Sequence, residues 1–140
     1  MNDGKFDGGQ LSDSEKTLRD FYKRLLNFSL KSSALMGSFQ EIQSVNRQST
    51  VNYDEFIYSF VRWSENQKLI IIANFSSEKT SEFELKIPED VIVKWNLKEG
   101  EYKLTNQLYQ QNSVLLKVEN GVGKAKIKIL PSESFIFELQ

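Results

Sequence analysis

The chain has 140 residues, of which 39% are hydrophobic, 26% charged and 12% aromatic, and its formal net charge is -1. That is the size and make-up of one soluble globular domain with a sizeable core, and it gives no global field to draw nucleic acid or an anionic membrane. There is no histidine and no cysteine, which excludes disulfides, thiol nucleophiles, Ser-His-Asp chemistry and zinc held by the usual ligands.

The opening MNDGKFDGGQ is polar, holds three of the seven glycines and lacks the apolar core of a signal peptide. Residues 1–11 therefore read as a flexible lead-in. Asp3 and Asp7 do not have the alternating ligands and closing Glu of a calcium loop. Ser12 starts SDSE, the pattern of a capping box, with Asp13 and Glu15 suited to the positive end of a helix. Leu18, Phe21, Tyr22, Leu25 and Phe28 then recur at steps of three and four, and Leu26 and Leu30 add a second stripe. At 3.6 residues per turn the apolar arc is roughly 200° wide, against about 100° for a helix resting on one surface. A helix over 12–33 that touches two bodies is expected.

Beyond Ser33 the period changes to two. Phe56, Tyr58 and Phe60 alternate with Ile57, Ser59 and Val61, and the segment ends in Arg62 and Trp63. SENQ turns the chain into KLIIIANF, an apolar run suited to a strand covered on both faces. Phe83, Leu85 and Ile87 alternate with Glu82, Glu84 and Lys86, which predicts one buried and one wet face. After Pro88, Val91, Val93, Trp95 and Leu97 alternate with Ile92, Lys94 and Asn96, which predicts another strand with Trp95 in the core. YKLTNQLY and SVLLKVE follow, and Asn120-Gly121 signals a hairpin into Ala125, Ile127 and Ile129. Phe135, Phe137 and Leu139 close the chain after Pro131. The reading is mainly β: an antiparallel Greek-key sandwich of about eight strands over 34–140, preceded by one amphipathic helix.

Chemistry is sparse. GVGK at Gly121 to Lys124 lacks the spacing of a phosphate loop and sits in a hairpin. The acidic pairs Glu82/Glu84, Glu89/Asp90 and Glu99/Glu101 read as wet strand faces or turns, with no apolar pocket to raise a carboxyl pKa. The stripe Lys124, Lys126 and Lys128 reads as a solvated face that resists edge pairing. Asn27 and Asn74 begin glycosylation sequons, one in a helix and one at the end of a buried strand. No catalytic residue, metal ligand or cofactor site is identified. Trp63, Tyr109 and Tyr53 are the aromatics available to stack on a sugar ring. The missing cysteines suit a reducing or an extracellular setting and do not fix a location.

Three stretches carry a resemblance. LRDFYKRLLNFSLKSSAL resembles the last barrel helix of an α-amylase family glycoside hydrolase and the turn that leaves it. YDEFIYSFVRWSENQKLIIIANFSSE resembles the opening hairpin of that family's C-terminal β-sandwich, and ILPSESFIFEL its final strand. The likeness spans Leu18 to Leu139 and departs at Phe28-Ser29, where the family usually has a Leu-Arg pair. It implies that Leu18, Phe21, Tyr22, Leu25 and Phe28 face a catalytic barrel absent from this chain. It also implies that the two-carboxylate mechanism on α-glucans such as starch and maltodextrin belongs to the parent, whose catalytic acids no residue here matches. A carbohydrate-binding sandwich standing alone is the rival reading, and a barrel carrying a small apolar ligand under a helical lid is a third. Large aromatics on the strand faces count against the last.

Overall fold

The computed structural model describes Gly9 and residues 11–109 and 113–140, and it forms two compact units, Met1–Ser32 and Ser33–Gln140. Of the expected lead-in over 1–11, only Gly9 and Leu11 are among the described residues.

Among its described residues the first unit holds one helix, α1 (Asp13–Lys31). The capping box forms: Glu15 N donates to Ser12 Oγ at 3.4 Å, and Ser12 N donates to Glu15 Oε2 at 2.8 Å. Ser32 is extended and its amide donates to Phe28 O at 2.9 Å, which closes the last turn beside Lys31.

The second unit opens with a 3-10 turn (Ala34–Met36) and then runs β1 (Ser38–Glu41), α2 (Gln43–Ser49), β2 (Ile57–Trp63), β3 (Lys68–Asn74) and β4 (Ser81–Ile87). It continues with α3 (Glu89–Lys94), β5 (Gly100–Asn106), β6 (Ser113–Glu119), β7 (Val122–Ile129) and β8 (Ser134–Leu139). All eight strands belong to one curled antiparallel sheet in the order β1-β2-β3-β8-β5-β6-β7-β4. The run β4-β7-β6-β5 is a Greek key whose long connection carries α3. Asn120 and Gly121 both take positive φ, 51° and 77°, as the tight hairpin between β6 and β7 requires.

The expected alternation holds in β4, where Phe83, Leu85 and Ile87 are buried and Glu82 and Glu84 face water. In β2 the buried stripe is Ile57, Ser59 and Val61, so the aromatic stripe Phe56, Tyr58 and Phe60 lies on the outer face. One cluster gathers Ile70 and Ile72 of β3, Leu104 of β5, Leu116 of β6, Ile127 of β7, and Phe135 and Phe137 of β8.

Two expectations are corrected. The strand predicted over Val91 to Leu97 is the helix α3 with its following turn. Pro88 stands at its N-cap with Glu89 and Asp90 in the first turn and Lys94 in the last, which suits both ends of the helix dipole. Val91, Ile92 and Trp95 are buried at helical spacing while Val93 is 71% exposed, so the apparent alternation was incidental. Glu89 and Asp90 thus form the first turn of a helix rather than a loop. The lysine stripe also has a different role, because β7 lies between β6 and β4 and is not an edge. Lys126 and Lys128 stand opposite Glu84 and Glu82 on β4, so opposite charges face each other across the wet face.

Each end strand is tied to a helix through side chains. Asn46 of α2 is fully buried; its Nδ2 donates to Lys86 O and its Oδ1 accepts from Lys86 N, both at 2.8 Å. One side-chain amide thereby serves the outer edge of β4 as a neighbouring strand would. Gln40 of β1 adds a second tie, donating to Asp90 Oδ2 at 2.8 Å.

Candidate functional site

Two features stand out, and each lies within one unit. The first is the apolar arc of α1. No residue of this helix is buried. Phe21, Leu25 and Phe28 are half-buried, whereas Leu18, Tyr22, Leu26 and Leu30 are 55%, 53%, 60% and 85% exposed. On a helical wheel the half-buried trio covers about 60° of arc and the exposed four cover the next 120° or so. The five residues expected to face a missing body are therefore divided. Leu18 and Tyr22 belong to the open stripe, which extends along Leu26 and Leu30.

The second feature is a cleft of about 710 Å³ where β1, β2 and α3 converge, lined by Ser38, Trp63, Glu65, Lys68, Trp95 and Asn96 among others. Trp63 ends β2, opposite Ser38 on β1 and Lys68 on β3. Its ring lies 6.5 Å from that of buried Trp95 in an edge-to-face pair. Gly37 lets the chain before β1 run close against the backbone of Trp63: a Cβ there would fall 2.1 Å from Trp63 O. Ser64 N donates to Gln67 O at 2.9 Å to shape the turn below Trp63, and Ser33 and Ser64 share a hydroxyl hydrogen bond at 2.7 Å.

Lys94 Nζ sits 6.0 Å from the Trp63 ring centroid, donating to Gln40 Oε1 at 2.7 Å and to Asp90 Oδ2 at 2.9 Å. Hydrogen bonds from Lys94 and then Gln40 hold the Asp90 carboxyl below its ordinary value. Among the described residues, the Trp95 indole N–H is buried without a hydrogen-bond partner.

The other two stacking candidates are placed differently. Tyr53 is buried, packs edge-on against Phe83 at 5.1 Å, and shares a 2.7 Å hydrogen bond with Ser59. Burial pushes its phenol up from the ordinary value, an effect partly opposed by the Ser59 bond. At 8% exposed, Tyr53 offers little surface on which a sugar ring could stack. Tyr109 is half-buried against the core. The cleft instead brings in Glu65, Lys68 and Asn96, which the sequence does not single out because they come from a turn, a strand start and a helix end with no motif of their own.

The described acidic pairs lie on the surface. Glu82 and Glu84 face water, Glu84 Oε1 lies 4.0 Å from Lys124 Nζ, and Glu99 accepts from Asn120 N at 3.1 Å. Among the described residues, the carboxyls of Glu15, Asp54, Asp90 and Glu119 are held below their ordinary values by side-chain hydrogen bonds from Ser12, Lys79, Lys94 and Lys117.

No family model matches the chain. In sequence it is similar to two 1,4-alpha-glucan branching enzymes of Clostridium perfringens, GlgB 2 and GlgB, at 30% and 32% identity over 79 residues. Those residues are 55% of this chain and 12% of either enzyme, so the chain spans a small part of the curated relatives it matches. In fold it is similar to AmyP, solved with maltotriose, with a TM-score of 0.61 at 14% identity over 94% of this chain and 22% of that one. An Anoxybacillus alpha-amylase gives 0.59 at 19% identity, covering 94% of this chain and 24% of that chain. A maltogenic alpha-amylase, AmyB from Thermotoga neapolitana, gives 0.59 at 16% identity over 86% of this chain and 24% of its own. The likeness in fold agrees with the resemblance read from the sequence, over a stretch that is 22% to 24% of the chains of these α-amylases.

Proposed function

We propose that the chain is the non-catalytic C-terminal domain of a longer α-amylase-type protein acting on α-linked glucans, and that it packs on and stabilises the catalytic barrel. In this reading 12–33 is the last helix of the barrel, 34–140 is the sandwich, and 1–11 leads in from upstream. The observation that carries it is the likeness in fold over 94% of this chain to enzymes of which it covers only 22% and 24%. The open stripe Leu18, Tyr22, Leu26 and Leu30 supports the same reading. Each such side chain gains about 1.5–3 kcal/mol when fully covered, so a stripe of four left in water marks a surface with a missing neighbour.

Two measurements test it. Purified chain incubated with maltodextrin should release no reducing ends; measurable turnover would overturn the non-catalytic assignment. The reading frame upstream of Met1 should encode a strand–helix repeat of about 250 residues or more, the length of a barrel. A frame without that repeat removes the partner on which the proposal depends.

A further inference from the structure

We infer that the Trp63 cleft is a binding site for a linear α-linked glucan. The proposal takes only the class of saccharide from the proposed function, and its site is built from residues that reading does not use.

Three properties of the cleft point to a neutral, hydroxyl-rich ligand with an apolar face. Its aromatic wall is Trp63, a half-buried indole backed edge-on by Trp95, so the ring is held by the core rather than free to swing. The C–H face of a pyranose packs on such a ring, and a fixed ring loses little side-chain entropy on binding. The rim is polar with both signs of charge: Lys68 and Lys94 donate, Glu65 accepts, and Ser38, Ser64 and Asn96 can do either. An anionic ligand would meet Glu65 and a cationic ligand would meet the two lysines, whereas sugar hydroxyls pair with all of them. The volume, about 710 Å³, lies within the roughly 300–1,000 Å³ of small-ligand clefts.

Two details agree with a built site. Lys94 is fixed between Asp90 and Gln40, which sets its ammonium group at the cleft before any ligand arrives. The Trp95 indole N–H is a buried donor without a partner on a side chain that lines the cleft. Unpaired buried donors are rare enough to require a reason.

The chain's two tryptophans both line this cleft, so indole emission reports on it alone. The experiment is a titration of the full chain with maltoheptaose, followed by tryptophan fluorescence and by calorimetry, with cellohexaose in parallel. A saturable response to maltoheptaose is expected, absent in Trp63→Ala. Glu65→Ala combined with Lys68→Ala keeps both indoles, alters only rim positions, and should bind about tenfold more weakly or worse. That double variant decides the matter if circular dichroism shows that Trp63→Ala does not fold. A flat response in both measurements overturns the site. Undiminished binding by the folded variants overturns its location, and an equal response to cellohexaose overturns the α-linked assignment. None of these results bears on the maltodextrin assay or the upstream reading frame, so failure here leaves the proposed function standing.

Discussion

Asn46 shows how much one buried amide can carry. Besides its two bonds to Lys86, its Nδ2 donates to Ile42 O and its Oδ1 accepts from Thr50 Oγ1, both at 2.8 Å. Every polar atom of the side chain is paired, which is the condition under which a buried polar group stabilises rather than destabilises. Asn46→Ala removes all of these bonds and leaves the outward amide and carbonyl of Lys86 without partners at a covered strand edge. Unpaired buried groups cost about 1–3 kcal/mol each, so a loss of about 3 kcal/mol is expected, with a fall of roughly 10 °C in Tm. Urea unfolding of the variant measures it; a change below about 1 kcal/mol would show that water replaces the amide at that edge. Nothing in the local sequence advertises this role, because QSVNRQS reads as a polar surface segment and the partner lies 40 residues away.

At the level of elements, legibility followed the strength of local signals. The α1 capping box and the Asn120-Gly121 turn are written in adjacent residues, and both form as expected. β4 was legible because its charges alternate strictly with its apolar residues. β1 was not, because its four residues are exposed or half-buried and present no periodicity. α3 is hidden because Val91 and Val93 of this six-residue helix, with Trp95 at its C-cap, mimic period two. The Pro88-Glu89-Asp90 start is the one local feature that favours the helix. The Trp63 cleft was half legible, since the ring is evident in the sequence but its neighbours gather only through the fold. The capping box also makes α1 pH-sensitive in a defined direction. The Ser12 side-chain and backbone hydrogen bonds hold the Glu15 carboxyl below its ordinary 4.5. A folded-state pKa below the unfolded one means its contribution is complete above pH 4.5 and is lost as pH falls through the lower folded value. Far-UV circular dichroism of the chain should therefore show helix loss below pH 4.5 that is smaller in Glu15→Gln. Ser12→Ala should cost α1 about 1 kcal/mol at neutral pH. Identical acid profiles for Glu15→Gln and the parent sequence would remove Glu15 from the cap.

For the molecule as a whole, the decisive contrast is between the chain alone and the chain inside a longer protein. Leu18 and Leu26 are 55% and 60% exposed, so replacing both by aspartate removes little packing here. Surface changes of this kind usually fall within about 0.5 kcal/mol, and both substitutions lie near the middle of α1, away from the cap. The isolated double variant should keep its urea midpoint and bind less of an apolar dye than the parent sequence, since the open stripe has been broken. In the intact protein that the proposed function requires, the same side chains lie against the barrel. There two buried leucines contribute about 3–6 kcal/mol together, and two carboxylates would enter an apolar contact without partners. The double variant of the intact protein should unfold at a lower temperature and release the 34–140 segment to limited proteolysis. Equal behaviour of the two proteins, both unaffected or both destabilised alike, would mean that this stripe is not the surface on which the domain docks.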